Sequence, residues 1–380
     1  MDGHERGLEA ARSFAAEELA GSLAARERAS CPDAGVFRRL GAAGLLGAAL
    51  PRRHGGAGGS AQSLCAAAIG LGEGGGDGGL ALAWAGHTLG CAAPIWELGD
   101  ERQRRRHLPG LAAGTRVGAF AHEERPRPGD PVGVQVQAQR CDRGWRLTGR
   151  KTWVVNAPIA EVFVVTACVD PTRKAAGVAS FIVERGAPGC HVGPRLATTG
   201  VPTAAIADLV LDGCEVGPAG LLGGADGGLL RTCAAVRRWQ RACGLAPWLG
   251  LVRAALAHTL AHAREFVRLG APLASSQALR ARVADMRIQV ALCEHMQARA
   301  AWLLDHAGPE AGRELAIAHL FLGERVAAIV AAAAELCAPQ ALERGHPIAR
   351  LVRDVPFAGR LDVGPDLLRS IIAGSLLGLG

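Results

Sequence analysis

The sequence predicts an α+β fold in which a β-barrel domain lies between two helical domains. The central residues 144–165 read GWRLTGRKTWVVNAPIAEVFVV, and their alternating and then continuous apolar runs are typical of buried strands. The sequence on either side is predicted to be helical. With 380 residues, of which 49% are hydrophobic and 20% charged, the chain is long enough for two or three globular domains.

Residues 1–114 are expected to form an N-terminal α-helical domain. Phe37–Leu46 has the apolar spacing of an amphipathic helix and is closed by glycines. The longest uncharged stretch, Gly78–Trp96, nearly reaches the length of a membrane span. Because this stretch contains His87, Pro94 and several glycines, we expect a buried helix and no membrane association.

Residues 115–220 are expected to form the middle β domain. Outside the central stretch, strands are predicted at Val132–Ala138, Val178–Val183 and Ala205–Leu211, with Pro and Gly residues in the turns between them. Within the central stretch, the residues Lys151–Trp153 are expected at a strand edge. No internal repeat is visible.

Residues 221–380 are expected to form a C-terminal helical domain. Thr232–Arg264 contains no strong helix breaker except Pro247, and two further helices are predicted at Gln277–Arg299 and at the Ala-rich Gly312–Leu336. Small residues allow helices to approach closely. The C-terminal helices are therefore the expected contact in an oligomer.

The net charge of +7 does not by itself indicate a nucleic-acid-binding protein. The most basic run, Glu101–Arg106, contains no aromatic residue, and the chain has no Tyr. A solvated loop or a helix start is expected there, with no nucleic-acid partner. A basic cleft for an acidic partner remains compatible with this charge.

The eleven cysteines form no C-x-x-C pair and no Cys/His cluster with metal-ligand spacing. We therefore expect free thiols and no metal site. The first residues, MDGHERGLEAAR, lack the apolar core of a signal peptide. Together these features predict a cytoplasmic protein.

The central stretch resembles the flavin-facing segment of acyl-CoA dehydrogenases, whose pattern is G-W-x-L-x-G-x-K-x-W-I-x-N-(A/G)-x-x-A-x-x-F-V-V. Leu98–Gln103 and Val283–Met286 also resemble segments of that family. The resemblance covers essentially the whole chain. It implies an acyl-CoA dehydrogenase-like architecture: an N-terminal helical domain, a middle β-barrel and a C-terminal four-helix bundle. It also implies a homo- or hetero-oligomer, as a dimer or tetramer, with flavin sites shared between protomers.

The resemblance implies α,β-dehydrogenation of an acyl thioester, carried by coenzyme A or by an acyl-carrier protein, with FAD as cofactor. A carboxylate removes the α-proton while the β-hydrogen leaves as hydride to the flavin, which then passes electrons to a transfer partner. In most members the base is a Glu about eight residues after an Arg-Asp dipeptide. Counting from Arg353-Asp354 places Asp362 at that position. An alternative interpretation makes Asp362 a surface or helix-capping residue.

A minority of the family carries the base on the first helix of the C-terminal domain, immediately before an Arg. The matching Arg here is Arg241, and the residue before it is Gln240, which cannot accept a proton. Asp362 is therefore the only base candidate that the family motifs provide. Glu123 and Glu124 are the alternative acids or bases if Asp362 is inactive.

Several flavin contacts of the family are altered in this sequence. The hydroxyl of the T-E-P motif is replaced by Glu123, and the hydroxyl after the Trp strand is replaced by Val155. Pro339 lies where the family has a glycine pair. Phe266 occupies the position of the Arg that reaches the flavin diphosphate, so Arg268 or Arg264 is the expected substitute.

The candidate cofactor-binding residues that remain are Lys151, Trp153, Asn156, Arg268 and Gln277. Each also has a structural interpretation, with Trp153 as a core residue and Lys151 and Gln277 as surface polar residues. Two further functions stay open beside the dehydrogenase. In the first, the chain is a partner subunit that lacks redox activity; in the second, it is an enzyme of redox-neutral chemistry on a carrier-bound acyl group. Fold similarity alone does not choose among them.

Overall fold

The computed structural model describes residues 3–29, 34–125, 134–225, 227–268, 270–307, 311–360 and 363–378. Its helices and strands follow the predicted α, β, α order. The helices before the sheet are α1 (Gly3–Glu18), α2 (Leu23–Ala29), α3 (Ala34–Ala42), α4 (Ala61–Gly75), α5 (Gly78–His87), α6 (Ala93–Leu98) and α7 (Glu101–Ala112).

The middle part is one eight-stranded sheet. Its strands are β1 (Gly118–Ala121), β2 (Gln137–Cys141), β3 (Gly144–Val155), β4 (Val162–Cys168), β5 (Val178–Glu184), β6 (Cys190–Arg195), β7 (Ile206–Val216) and β8 (Leu221–Leu222). The order is β6-β7-β3-β2-β4-β5-β8, with β1 pairing in parallel with β4. Its inward-facing side chains form a separate apolar core, in which Trp145 meets Phe181 edge-on at 5.4 Å between ring centroids.

The C-terminal part is helical. It consists of α8 (Gly228–Cys243), α9 (Ala246–Glu265), a short hairpin of β9 (Val267–Arg268) and β10 (Ala271–Pro272), α10 (Gln277–His306), α11 (Gly312–Leu336), α12 (Pro347–Asp354) and α13 (Pro365–Leu377). Pro247 lies in the first turn of α9, where a missing N–H costs nothing, so the predicted long helix is divided into α8 and α9.

Several predicted boundaries differ from the structure. The second helix of the C-terminal part continues to His306 rather than Arg299, and β7 continues to Val216 rather than Leu211. The helix predicted at Phe37–Leu46 begins earlier and ends at Ala42, because Gly44 adopts a left-handed conformation with φ of 74°. The strand predicted at Val132–Ala138 begins only at Gln137, and residues 132 and 133 lie outside the described part of the chain. In the described part of this segment, Val136 and Ala138 are buried, and only Gln137 and Ala138 pair with β3.

Helices α4 and α9 pack very closely. Gly72 of α4 lies against the carbonyl of Pro247, and Gly250 of α9 lies against the carbonyl of Ile69. A Cβ at either position would stand about 2 Å from the facing oxygen, 1.9 Å at Gly72 and 2.0 Å at Gly250. Glycine at both positions therefore allows α4, of the N-terminal part, to pack this closely against α9, of the C-terminal part.

One described helix, α11, is long and apolar enough to cross a membrane by length and composition alone. Its buried side chains, among them Leu322, Val326 and Ile329, belong to the large helical core. It also packs against α9 and α10. These contacts are what a core helix of a bundle makes. Gly78–Trp96 forms α5, a π-helical turn and α6, and most of its residues are buried.

Candidate active site

A cavity of about 200 Å³ lies where the three parts of the chain meet. Helix α5, the middle sheet and helix α8 each form part of its wall. Its lining residues are Leu82, Gly86, Phe120, His122, Glu123, Thr152, Trp153, Val155, Cys233, Val236, Arg237, Gln240 and Val363. We call it the central cavity. A larger cavity of about 440 Å³ lies elsewhere, between α7 and the ends of β5 and β7, and contains none of the predicted site residues.

Trp153 presents its indole to this cavity because β3 is irregular there. The pairing of β3 with β7 shifts register between Lys151 and Val154, and Trp153 has a φ of 55°. The shift turns the indole out of the sheet, so that 54% of Trp153 is exposed. The interpretation of Trp153 as a core residue is therefore wrong, and its ring is available as a flat wall.

Lys151 lies beneath that wall and is completely buried, which corrects its interpretation as a surface residue. Its ammonium donates to the Glu124 carboxylate at 2.6 Å, to Thr166 Oγ1 at 2.9 Å and to the His122 carbonyl at 3.1 Å. Burial lowers the pKa of Lys151, and the Glu124 carboxylate opposes that shift. All three ammonium protons are used within the protein, so the residue supports the wall from behind.

The Glu124 carboxylate likewise makes its hydrogen bonds within the protein. Besides Lys151, its carboxylate accepts the backbone N–H of Gln135 at 2.6 Å and that of Val136 at 3.3 Å. These bonds fix the chain on both sides of residues 126–133. Glu123 differs, because its side chain is exposed and lines the cavity. Of the two alternative acids, only Glu123 is a carboxylate of the central cavity.

His122 is a neutral imidazole in the cavity wall. Burial lowers its pKa to about 4, and the nearby charges of Lys151 and Arg237 act in the same direction. Its Nδ1 lies 3.1 Å from Thr166 Oγ1, and its ring stacks on Phe120 at 5.6 Å between centroids. The site therefore offers a hydrogen-bonding ring that does not change charge near neutral pH.

Asn156 is a joint between domains. It is fully buried, and its amide donates to the carbonyls of Ala83 at 2.8 Å and Gly118 at 3.1 Å. It thus ties α5 and β1 to the end of β3 next to Val155. Its Oδ1 has no hydrogen-bond partner among the described residues. Asn156 supports the cavity without lining it.

Arg268 and Gln277 are exposed and stand outside the central cavity of their own chain. Arg268 is in the β9–β10 hairpin, and Gln277 is the first residue of α10. Asp362 lies outside the described residues. The next residue, Val363, lines the cavity, as does Gln240 from α8. One position at which the family carries its base, Gln240, thus lies in the same cavity as the residue that follows the other position.

Of the four α8 residues that line the cavity, the sequence motifs identified only Gln240 as a site position. Cys233, Val236, Arg237 and Gln240 line the cavity at the i, i+3, i+4 and i+7 spacing of a single helix face. Extending that spacing backward from Gln240 would have identified the other three. Nothing local to their sequence indicates Leu82 or Gly86, which reach the cavity only through the packing of α5.

Comparison with known proteins decides the family. Models of the acyl-CoA dehydrogenase N-terminal, middle and C-terminal domains match residues 1–115, 119–214 and 231–377. An L-prolyl-[peptidyl-carrier protein] dehydrogenase of Pseudomonas fluorescens is 34% identical over 71% of this chain and 71% of its own length. The chain belongs to the acyl-CoA dehydrogenase family.

The solved structures agree with this assignment. Butyryl-CoA dehydrogenase from Megasphaera elsdenii superposes with a TM-score of 0.93 at 26% identity and covers 99% of both chains. A solved FAD-dependent dehydrogenase matches with a TM-score of 0.91 at 25% identity, over 100% of this chain and 99% of its own. The predicted fold class, FAD as cofactor and flavin-dependent dehydrogenation of an acyl thioester are confirmed.

The central cavity fits the flavin ring. The exposed indole of Trp153 and the neighbouring Val155 and Phe120 form an apolar wall for a flat aromatic system. At about 200 Å³ the cavity is too small for a whole dinucleotide, so the remainder of FAD would extend beyond it. Glu123 adds an acceptor where the family has a hydroxyl.

Proposed function

We propose that this chain dehydrogenates a small, polar acyl group carried as a thioester on a carrier protein. The observation that carries this proposal is the lining of the central cavity. The side chains of His122, Glu123, Thr152 and Gln240 share it with apolar residues. A long hydrocarbon chain would bury polar groups such as the Glu123 carboxylate and the Gln240 amide against apolar carbons, at a cost of about 1–3 kcal/mol for each group left without a hydrogen bond.

The chemistry of the L-prolyl relative supports a carrier-bound substrate. That protein acts on a prolyl group held by a peptidyl-carrier protein, and its sequence is 34% identical over two thirds of this chain. A prolyl group is compact and carries an amine that hydrogen-bond acceptors such as Glu123 and Gln240 can bind. The polar groups of the cavity thus suit an aminoacyl thioester.

In the proposed reaction, Asp362 removes the α-proton of the acyl group. FAD, when bound against Trp153, supplies the acceptor for the β-hydrogen as hydride. Asp362 is one methylene shorter than the family Glu, so the backbone at Val363 has to bring it close to the cavity. His122 stays neutral and holds its hydrogen bond to Thr166 during turnover. Gln240 cannot accept the proton and serves to orient the acyl group.

We expect Arg268 and Gln277 to bind the FAD of a neighbouring copy. Both are exposed and do not line the central cavity of their own chain. Family flavin sites are shared between protomers, and this arrangement would complete each site across an interface.

The test of this function compares Asp362→Asn with Asp366→Asn. Asp366 lies four residues further on, in the first turn of α13, and is fully exposed. We expect Asp362→Asn to lower the rate of flavin reduction by a prolyl-carrier thioester at least about a hundredfold with little change in substrate affinity. Asp366→Asn should behave like the parent. Equal rates for Asp362→Asn and the parent would assign the base elsewhere, with Glu123 as the next candidate.

A further inference from the structure

The surface at one end of α8 combines positive charge with an exposed apolar side chain. Arg173 and Lys174 lie on the 3₁₀ segment Pro171–Gly177, and Leu230 and Arg231 lie in the first turn of α8. All four residues are exposed, with 57% of Leu230 accessible. We call these four residues the basic rim.

The basic rim adjoins the central cavity through direct packing. Cys233, which lines the cavity, belongs to a small apolar cluster with Leu229 and Cys168, and Ala175 of the 3₁₀ segment packs against that cluster. The N–H of Gly227 also donates to the Ala176 carbonyl at 3.2 Å. Leu230 precedes Cys233 by three residues and Arg237 by seven, so it continues the cavity-lining face of α8 to the surface.

The exposed charge of this region is mostly positive. Helix α8 contains four arginines and no carboxylate; Arg238 pairs with Glu97, whereas Arg231 lies near the N-terminus, where the helix dipole is already positive. The 3₁₀ segment contributes two more cations and no acid. Asp170, which precedes that segment, is an anion beside it: the hydrogen bonds from Thr172 lower its pKa, so its carboxylate stays ionised. The basic rim therefore suits an anionic partner.

We propose that the basic rim docks an acidic carrier domain whose phosphopantetheine arm enters the central cavity. This inference rests on the proposed function, because it assumes a carrier-bound substrate. The cations would pair with the phosphate of the arm and with acidic residues of the carrier, which raises the rate of encounter. Leu230 would supply the apolar contact that holds the carrier in register.

The experiment measures carrier binding separately from turnover. The binding probe is the holo form of the peptidyl-carrier protein on which the Pseudomonas fluorescens relative acts, labelled for fluorescence anisotropy. The kinetic probes are the same carrier loaded with L-proline, prolyl-pantetheine and prolyl-CoA. The variants are Arg173→Glu with Lys174→Glu, and separately Leu230→Ser. The matched control is Arg143→Glu with Arg146→Glu, at the exposed β2–β3 turn and the start of β3, which changes the net charge equally.

We expect the rim double variant to weaken holo-carrier binding by at least about tenfold and to raise KM for the prolyl carrier similarly. Leu230→Ser should weaken binding by about threefold or more. KM for prolyl-pantetheine should not change, and the control should stay within about twofold of the parent. High salt should weaken binding of the parent but hardly affect the double variant.

The proposal would be overturned by failure of the parent to bind the holo carrier, or by binding that the rim variants leave unchanged. A rise in KM for prolyl-pantetheine equal to that for the carrier would show damage to the cavity instead. An effect confined to prolyl-CoA would assign the rim to the free nucleotide. If no thioester reduces the flavin of the parent, the proposed function fails, whereas the anisotropy measurement still decides whether the rim binds the carrier.

Discussion

Single residues beneath the central cavity set its geometry, and Lys151 is the clearest case. Its ammonium and the Glu124 carboxylate form a buried pair, with side-chain exposures of 0% and 10%. Removing one partner of such a pair leaves an uncompensated charge. We expect Lys151→Met to lower the free energy of unfolding by about 3–5 kcal/mol in urea titrations.

The second lysine of the chain provides the control for this prediction. Lys174 is exposed, so Lys174→Met should change the free energy of unfolding by no more than about 0.5 kcal/mol. The double variant Lys151→Met with Glu124→Gln should recover part of the loss, because it removes both charges. An equal effect of the two lysine substitutions would contradict a structural role for Lys151.

Buried histidines make the stability depend on pH. Burial lowers the pKa of His87, His107 and His122 to about 4 each, from the ordinary 6.5. The unfolded chain therefore takes up protons first as the pH falls. The stabilisation is complete above pH 6.5 and is lost between pH 6.5 and 4.

His87 gives the sharpest test of this pH dependence. Its Nδ1 accepts the N–H of Gly118 at 3.0 Å and its Nε2 faces the Leu111 carbonyl at 3.1 Å, so the ring fits only as the neutral form. We expect about 2 kcal/mol of stability to be lost through His87 between pH 7 and 5. His87→Gln should flatten the pH profile of unfolding by that amount, whereas the exposed His191→Gln should leave it unchanged. A profile equally steep in both variants would disprove the assignment.

At the scale of elements, close helix contacts depend on glycine. Gly250→Ala improves helix propensity but places a Cβ 2.0 Å from the Ile69 carbonyl. We expect the clash to prevail and to lower the free energy of unfolding by roughly 1–3 kcal/mol or more. In Gly374→Ala, on α13, the new Cβ meets nothing within 4 Å, and stability should rise by up to about 1 kcal/mol. Calorimetry should show a lower Tm than the parent for Gly250→Ala and a higher Tm for Gly374→Ala. A stabilised Gly250→Ala would contradict the predicted clash.

The sequence predicted some helices and strands accurately but missed features of others. Gly312–Leu336 matches α11 residue for residue, because Ala-rich helical periodicity is a local property. The burial of Lys151 could not be predicted, since it follows from the pairing of β3 with β7 and from Glu124 arriving from another segment. The outward indole of Trp153 likewise depends on a register shift that no local pattern encodes.

At the scale of the whole molecule, the motifs predicted the architecture and the family. They also singled out Glu123 and Gln240, which line the central cavity, whereas Asp362 lies outside the described residues and its role stays a prediction. The complete lining could not be predicted, because it is assembled from α5, the sheet and α8. Long-range packing, rather than any one motif, therefore determines which acyl group fits.

The predicted oligomer is also a property of the whole molecule. On α13, Leu367, Leu376 and Leu377 are exposed by 52%, 66% and 70%, which is costly for a surface left in water. We expect a dimer or tetramer in sedimentation velocity, and Leu376→Glu with Leu377→Glu should shift it toward monomer. A sedimentation mass of 39.2 kDa for the parent, which is the mass of one chain, would contradict the oligomer and the shared flavin site.

The most direct test of the central claim is the flavin spectrum of the purified protein under anaerobic mixing with a prolyl-loaded carrier. We expect a flavin absorption band that bleaches in a single-turnover reaction, with loss of two hydrogens from the acyl group confirmed by mass spectrometry. A flavin band that neither this carrier nor any other acyl thioester bleaches would contradict dehydrogenation as the function of this chain.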